Sequence, residues 1–379
     1  MTSEQMYKFI NCLILIVTPI VIAISILVGS DLTFQLAGES HALGDYSLFY
    51  VKDWTALLQG QNPYNYLIEG VPGACLYPPG YLAFGGLYYM YSLLPKAFFC
   101  LMWMATAYVF NRICKNYNIS DKGTLINCVG FFLINPFYFV IVGIAGHYDG
   151  IVGLCVLLAV YSVENAEQIK SAIYTSLAFL LKFVGLVLFF PLVFTKKKVN
   201  WKLGVMGFGI CGLVYLVGFL LWGISVFDPF YTHLFRNPEG ASIILFIKEV
   251  LGIDIAPLIP YALVVGMIAI AVFLYFENTD ISTYSLILII LFVLILPVFW
   301  IHYCLWFFPL LIYWAITHTY KLRWLLTFTM AVLIVSFVFY WFFSSLPSVP
   351  SIVTFLGGFV FVIFIFLNRK KGDKKAALT

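Results

Sequence analysis

The stretch FINCLILIVTPIVIAISILVG, residues 9–29, contains no charged side chain. A helix needs about 20 consecutive apolar residues to cross the hydrocarbon core of a bilayer, and this stretch has that length. The whole chain shares this character, because 63% of its 379 residues are hydrophobic and only 10% are charged. A soluble domain of this composition would present too much apolar surface to water. The sequence therefore predicts an integral membrane protein.

Further apolar segments follow along the chain, some of them short or interrupted by Pro or Gly. We predict an all-α polytopic membrane protein with about twelve transmembrane helices, forming one membrane-embedded unit over residues 1–379. The predicted spans are 9–29, 97–113, 124–142, 150–163, 171–182, 184–195, 203–224, 257–276, 283–300, 304–319, 324–344 and 351–367. The apolar stretch 79–94 is short for a span, so we predict a helix at the membrane interface there.

Lysine and arginine divide unevenly between the two sides that these spans define. Cytoplasmic loops of membrane proteins are enriched in these residues, so we place both termini in the cytoplasm and the first large loop outside. The basic residues that remain on the outer side are Lys52, Lys96, Lys182, Arg236 and Lys248. The apolar run around Lys182 is too long for one span. We therefore predict a tight helical hairpin with its tip at 182–185, near the outer face.

Charge and cysteine content argue against other classes of protein. The formal net charge is +4, but no basic stretch interleaved with aromatic residues suggests a nucleic-acid partner. The eight cysteines have no Cys-x-x-Cys spacing, so we predict neither a zinc site nor a disulfide framework. The first span lacks a signal-peptide cleavage site, so we expect it to be retained. Small loops favour the bacterial plasma membrane, with the endoplasmic reticulum membrane as the alternative.

The first outer loop carries three short motifs after a single span. They are Gly44-Asp45-Tyr46, Gly60-Gln61-Asn62-Pro63-Tyr64 and Tyr77-Pro78-Pro79-Gly80-Tyr81. Polar positions recur at helical spacing over 45–58, which predicts an amphipathic helix on the membrane with its polar face toward a cavity. A carboxylate at a dry interface, such as Asp45, can act as a general base because its pKa is raised. A helix-capping or solvated aspartate is the alternative.

These motifs resemble the first outer loop of the GT-C glycosyltransferases, most closely the catalytic subunit of GPI mannosyltransferase I and the bacterial polyprenyl-phosphomannose-dependent mannosyltransferases. The resemblance continues in chain order at Gly146-His147-Tyr148-Asp149-Gly150, at Lys182, and at His302-Tyr303-Cys304-Leu305-Trp306. Some members carry a paired Asp-x-Asp in this loop, whereas here no acidic residue stands two positions before Asp45. That departure puts a metal site built on such a pair in doubt.

The resemblance implies an inverting glycosyltransferase that moves a hexose, mannose by likeness, from a polyprenyl phosphate to an acceptor hydroxyl on the non-cytoplasmic face. The expected partners are this donor, a lipid or glycan acceptor and membrane lipids. Asp45 is the expected base, and the expected phosphate-binding residues are Lys182, Arg236 and His302. The expected substrate contacts are His147, Asp149, Tyr46, Tyr77, Tyr81 and Trp54. We expect no cofactor, although a divalent metal shared by Asp149 and Asp45 is an open alternative.

Each of these residues also has a purely structural interpretation. His147 and Asp149 can cap a helix, since a carboxylate near a helix N-terminus is favourable. Lys182 can snorkel to the interface, and Arg236 can pair with an acidic neighbour in a surface loop. His302 can cap the preceding span, and tyrosine and tryptophan collect at membrane interfaces without binding any sugar.

Two other functions are compatible with the same residues. A transporter or flippase of a lipid-linked saccharide would also place cations against a phosphate and aromatic rings around a sugar, but it is expected to carry gating groups on both faces. A polysaccharide polymerase or ligase would also act at the outer face. Such enzymes usually have a large late outer loop, whereas the largest loop here comes first.

Overall fold

The computed structural model describes a set of ranges that covers most of the chain. These are 2–28, 33–36, 39–42, 46–65, 75–119, 125, 129–130, 132–133, 135, 138–195, 198–235, 237, 239–240, 242–277, 279–318 and 348–368. Asp45, Arg236 and the predicted span 324–344 lie outside the described residues, as does much of 124–142. The contacts between Cα atoms divide the chain into two units, Met1–Leu154 and Cys155–Thr379.

The first unit contains one long helix pair and several short helices. Its elements are α1 Ser3–Val28, β1 Thr33–Leu36, β2 Glu39–Ala42, a π-helical turn Tyr46–Tyr50, α2 Val51–Leu58, a 3₁₀ turn Pro79–Ala83, α3 Phe84–Met90, α4 Leu94–Asn116 and a π-helical turn Phe139–Ile144. Helix α5, Asp149–Glu164, begins in this unit and continues into the second. Strands β1 and β2 pair antiparallel.

Helices α1 and α4 pack against each other in opposite directions. At one end Lys115 of α4 lies 3.0 Å from the carboxylate of Glu4 in α1. Further along, Asn111 donates a hydrogen bond of 2.7 Å to Asn11. Hydrogen bonds and ion pairs between helices hold them together where the surrounding surface is apolar. The start of α1 and the end of α4 therefore lie together, as the charge distribution predicts.

The segment 79–94 is a short helical element, as the sequence predicts. Pro79 begins the 3₁₀ turn, where its fixed φ and missing N–H are tolerated. Helix α3 then packs on α2 near Gly85, where an added Cβ would lie 3.4 Å from Leu57 and 3.5 Å from Trp54, which are ordinary contact distances. The predicted helix over 45–58 is present as the turn Tyr46–Tyr50 and helix α2.

The second unit is built from consecutive helices joined by short connections. Its elements are α6 Gln168–Leu181, α7 Val184–Val193, β3 Phe194–Thr195, β4 Lys198–Val199, α8 Trp201–Trp222, a 3₁₀ turn Gly223–Phe227, α9 Asp228–Phe235, β5 Glu239–Gly240, α10 Ile243–Leu251, a 3₁₀ turn Ala256–Leu258, α11 Ile259–Phe276, α12 Ile281–Ile295, β6 Val298–Phe299, a 3₁₀ turn Ile301–Trp306, α13 Phe308–His318 and α14 Ser348–Leu367.

The hairpin predicted around Lys182 is present. Helix α6 ends at Leu181, Lys182 has an extended backbone, and α7 begins at Val184. The two helices approach so closely behind the turn that a Cβ on Gly185 would lie 2.1 Å from the backbone nitrogen of Phe179. Helix α8 packs on α6 as well, and Ser176 donates a hydrogen bond of 3.0 Å to the carbonyl of Gly207.

Among the described residues, four helical stretches are long and apolar enough to cross a membrane: Ser3–Val28, Leu94–Asn116, Trp201–His233, which runs from α8 through the 3₁₀ turn into α9, and Ile259–Phe276. Shorter apolar helices accompany them at Val184–Val193, Ile281–Ile295, Phe308–His318 and Leu356–Leu367. Large apolar side chains such as Val205 and Leu220 stay exposed on α8, which suits a lipid-facing surface. The fold is thus mostly helical and contains helices that could span a membrane, while the count of twelve spans stays a prediction.

Candidate functional site

Four tyrosines from three segments of the chain pack together in the first unit, and we call them the tyrosine cluster. Its members are Tyr50, Tyr77, Tyr81 and Tyr148. Every pair of rings has a centroid separation between 4.9 and 6.0 Å. All four side chains are buried. The cluster therefore joins the helical segment after Asp45, the Tyr-Pro-Pro-Gly-Tyr turn and the Gly-His-Tyr-Asp-Gly motif into one packed core.

Tyr46 fixes the position of the Gly-His-Tyr-Asp-Gly motif beside this cluster. Its ring lies against Gly146, which has a φ of +73°, in the left-handed region that favours glycine. Its hydroxyl donates a hydrogen bond of 2.6 Å to the carbonyl of Ser92. Burial raises the pKa of Tyr46, so the hydroxyl remains a donor at neutral pH. Tyr46 is thus an interior packing residue in this conformation.

Asp53 is a buried acid in the same unit that the motif analysis did not single out. Its side chain is 0% exposed, and its Oδ2 accepts a hydrogen bond from the Tyr81 hydroxyl. Burial raises the pKa of Asp53 to about 7, although hydrogen bonds from Tyr81 and Cys75 and the charge of Lys52 act to lower it. Asp53 therefore changes protonation near neutral pH.

Trp54 and Tyr81, two of the expected substrate contacts, face this interior as well. The Trp54 indole is fully buried, with the Tyr46 ring 5.7 Å away and the Tyr81 ring 6.3 Å away. Its Nε1 has no hydrogen-bond acceptor within the part of the chain that the structure describes. Ring faces that pack against one another are not open platforms for a sugar, so substrate contact by these residues requires the cluster to open.

His147 and Asp149 stand together at the start of α5. The Nδ1 of His147 lies 3.4 Å from the Oδ2 of Asp149, and both side chains are buried. Asp149 is the first residue of the helix, where a carboxylate also interacts favourably with the helix dipole. The pair offers a metal one nitrogen and one oxygen ligand. Hard divalent cations prefer oxygen ligands, so a pair that includes an imidazole nitrogen does not favour such a cation.

In the second unit, Lys182 lies beside the His302–Trp306 motif. Its Nζ is 5.9 Å from the ring centroid of Tyr303 and 6.0 Å from that of Trp306. These two rings stack on each other at 4.3 Å, and the His302 ring contacts Tyr303 edge-on at 4.8 Å. Lys182 is 6% exposed and His302 is 8% exposed. The hairpin tip thus brings a buried cation against two aromatic faces, a favourable arrangement.

The hairpin tip also lies against α9. The ring of Phe183 is 4.3 Å from that of Phe230 and 5.3 Å from that of His233. Strand β5, a few residues after α9, pairs parallel with β6, which immediately precedes the His302 turn. Among the described residues of the second unit, these contacts join the hairpin tip to α9, and they join the segment after α9 to the segment before His302. Arg236 falls between α9 and β5 in the sequence but lies outside the described residues.

The described members of the expected set belong to both units of the chain. Tyr46, Trp54, Tyr77, Tyr81, His147 and Asp149 lie in the first unit, and Lys182 and His302 lie in the second. Asp53 was missed because the sequence shows it only as one polar position of the predicted amphipathic helix, and its partner Tyr81 lies 28 residues later. No protein-family model matches the chain, and no curated protein sequence matches it either.

Proposed function

We propose that the protein is a membrane-embedded glycosyltransferase that moves a hexose from a polyprenyl phosphate to an acceptor hydroxyl on the non-cytoplasmic face, with inversion at the anomeric carbon. The observation that carries the proposal is the buried Lys182 ammonium beside Tyr303 and Trp306, in a unit of apolar helices. A cation held in a dry, aromatic surrounding stabilises negative charge more strongly than the same cation does in water.

The reaction needs cationic or hydrogen-bonding groups where the phosphate leaves. The acceptor oxygen forms a bond to the anomeric carbon while the bond from that carbon to the phosphate oxygen breaks. The electron pair of that bond stays on the polyprenyl phosphate, and a base takes the proton of the acceptor hydroxyl. Direct displacement of this kind inverts the anomeric centre. Lys182, Arg236 and His302 are the proposed partners of the leaving phosphate.

Asp45 is the proposed base, and this assignment comes from the sequence alone. The residues that come directly after it support a site in this region, because the turn Tyr46–Tyr50 carries two rings into the buried core of the first unit. The Gly-His-Tyr-Asp-Gly motif packs on the same turn through Tyr46. We assign Tyr46, Trp54, Tyr77, Tyr81, His147 and Asp149 to the walls of the proposed substrate site. Mannose is the proposed sugar, and no metal is required.

The test is transfer of radiolabelled sugar from a panel of polyprenyl-phosphate hexoses, in membranes that contain the wild-type protein or Asp45→Asn. We expect transfer from one donor, loss of transfer in Asp45→Asn at equal expression, and the same rates with and without a chelator. Full transfer by Asp45→Asn would remove the assigned base. If no donor supports transfer and proteoliposomes flip a lipid-linked saccharide instead, the protein is a transporter.

A further inference from the structure

Asp53 is a buried carboxyl that the proposed reaction does not use. It lies in α2 and accepts a hydrogen bond from Tyr81, which lies at the end of the Tyr-Pro-Pro-Gly-Tyr turn. Its other oxygen, Oδ1, has no hydrogen-bond donor among the residues that the structure describes. A buried carboxylate with an unsatisfied oxygen is costly, because the charge loses its hydration without full compensation. The protonated carboxyl carries no charge and therefore avoids this desolvation cost.

The groups that face Asp53 provide little compensation for a negative charge. From the segment 75–81 come the Tyr81 hydroxyl and the Cys75 thiol, which itself lies 3.6 Å from the Tyr81 hydroxyl. From α2 comes Lys52, whose side chain is only partly buried. Burial also raises the pKa of both Cys75 and Tyr81, so neither group ionises near neutral pH. Burial is thus the largest effect on the carboxyl, and it favours the protonated form.

Tyr81 transmits the state of Asp53 to the rest of the tyrosine cluster. Its ring is stacked on Tyr148 at 6.0 Å and lies 4.9 Å from Tyr77 and 6.0 Å from Tyr50. The segments that meet here are the same three that we assign to the walls of the substrate site. A change at the Asp53 carboxyl therefore acts on the alignment of all three.

We propose that Asp53 is a positioning residue: its neutral carboxyl holds Tyr81 and thereby keeps the Tyr-Pro-Pro-Gly-Tyr turn docked on α2, and loss of its proton loosens that turn. The part of this inference that concerns activity rests on the proposed function, whereas the part that concerns docking does not. When the turn opens, Asp53 meets water and regains the ordinary pKa of a carboxyl. Opening is then linked to release of one proton at pH values between that ordinary pKa and the raised one.

The direction of the effect follows from this linkage. Between about pH 4 and pH 7 the docked state holds a proton that the open state does not, so each rise of one pH unit favours opening by up to about tenfold. Above about pH 7 both states are ionised, and the opening equilibrium levels off. The turn is therefore held most tightly on the acidic side of neutrality.

The first experiment needs no substrate. Hydrogen–deuterium exchange of peptides from 75–90 is followed by mass spectrometry from pH 5 to pH 8, with correction for the intrinsic pH dependence of exchange. In the wild-type protein we expect protection to fall more than about tenfold from pH 5 to pH 7 and then to level off. Asp53→Asn, which keeps an oxygen acceptor for Tyr81 but cannot ionise, is expected to give protection that does not change with pH.

Two controls make the result specific. Asp254→Asn removes an exposed carboxylate that pairs with Lys248 in the second unit, and it should leave the pH dependence of 75–90 unchanged. Tyr81→Phe removes the hydrogen bond and should lower the protection of the turn at every pH. Equal pH dependence in wild type and Asp53→Asn, or no pH dependence in wild type, overturns the proposal.

The transfer assay separates this inference from the proposed function. If the protein transfers sugar, Asp53→Asn should keep a kcat within about threefold of the wild-type value, whereas Tyr81→Phe should lower it more than Asp53→Asn does. Transfer abolished in a well-folded Asp53→Asn would overturn the positioning role, since that variant keeps the acceptor for Tyr81. If exchange behaves as expected but no variant transfers any sugar, the docking role stands and the proposed function fails.

Discussion

The ring of Tyr46 lies directly against Gly146, so closely that a Cβ on residue 146 would sit 2.9 Å from Cδ2 of Tyr46. Gly146 also has a φ of +73°. Two independent features therefore require glycine at the first position of the Gly-His-Tyr-Asp-Gly motif: the left-handed backbone and the contact with the ring. This contact ties the motif to the turn that follows Asp45 in the sequence.

Gly146→Ala should destabilise the protein through both features, and Gly60→Ala separates them. Gly60 has nearly the same φ, +72°, but no atom lies within 4 Å of where its Cβ would stand. We expect Gly60→Ala to cost about 1 kcal/mol from the backbone alone, and Gly146→Ala to cost about 1–3 kcal/mol more because the ring must move. Thermal unfolding in detergent measures both. If both variants lose the same stability, the Tyr46 ring moves away from the added Cβ of residue 146 without an energetic cost.

The sequence predicted the features that depend on local pattern. The break at Lys182 followed from a cation inside an apolar run, and the short helix at 79–94 followed from the length of that stretch. Both predictions are confirmed because chain length and charge limit what an apolar segment can do in a membrane. The antiparallel pairing of α1 and α4 agrees with the predicted charge distribution for the same reason.

Features that depend on distant contacts could not be predicted. Tyr77 and Tyr148 stood out in the sequence as members of motifs, but Tyr50 did not, and their mutual packing joins residues that are nearly 100 positions apart. The burial of Asp53 depends on Tyr81 in the same way. Hydrophobic periodicity reports which face of a segment is apolar, and it does not report what covers that face. The roles of Asp45 and Arg236 stay predictions.

Gly185→Ala should prevent the hairpin from forming. A Cβ at this position would lie 2.1 Å from the nitrogen of Phe179 and 2.5 Å from its Cα, and backbone atoms cannot rotate out of the way. Helices α6 and α7 would have to separate, so we expect a loss of several kcal/mol and little folded protein in the membrane. Gly212→Ala on α8 is the matched control, because its Cβ meets nothing within 4 Å. Similar yields of folded protein from both variants would contradict the close packing.

Lys182→Met should separate function from stability. The substitution replaces a buried ammonium with an apolar side chain of similar length, which removes the desolvation cost of the charge together with its contacts to Tyr303 and Trp306. If Lys182 stabilises the leaving phosphate, transfer should fall about a hundredfold, as when one preorganised donor to the transition state is removed. Lys248→Met is the control, since Lys248 is exposed and pairs with Asp254. A destabilised Lys182→Met with normal transfer per folded molecule would make Lys182 a structural residue.

The last prediction concerns acid stability and rests on Asp280, which begins α12 in the second unit. Its Oδ1 accepts a hydrogen bond of 3.0 Å from the Thr283 N–H, and its Oδ2 lies 3.2 Å from Nε2 of His318. Burial alone would raise the pKa of Asp280, but His318 and the Thr283 N–H outweigh it and leave that pKa below the usual value. The ionised form is therefore favoured by folding. Its contribution to stability is complete above about pH 4, the pKa of an unfolded aspartate, and is lost as the pH falls through the lower folded value.

Asp280→Asn and Asp280→Ala should divide this contribution into two parts. Asparagine caps a helix nearly as well as aspartate but carries no negative charge, so this variant reports the contribution of the Asp280 charge. Alanine also removes the cap, which costs about 1 kcal/mol more. We expect unfolding temperatures at pH 7 to fall in the order wild type, Asn, Ala. The wild-type advantage over Asn should shrink as the pH is lowered below about 4. An advantage that is the same at pH 3 and pH 7 would mean that the charge of Asp280 contributes nothing to stability.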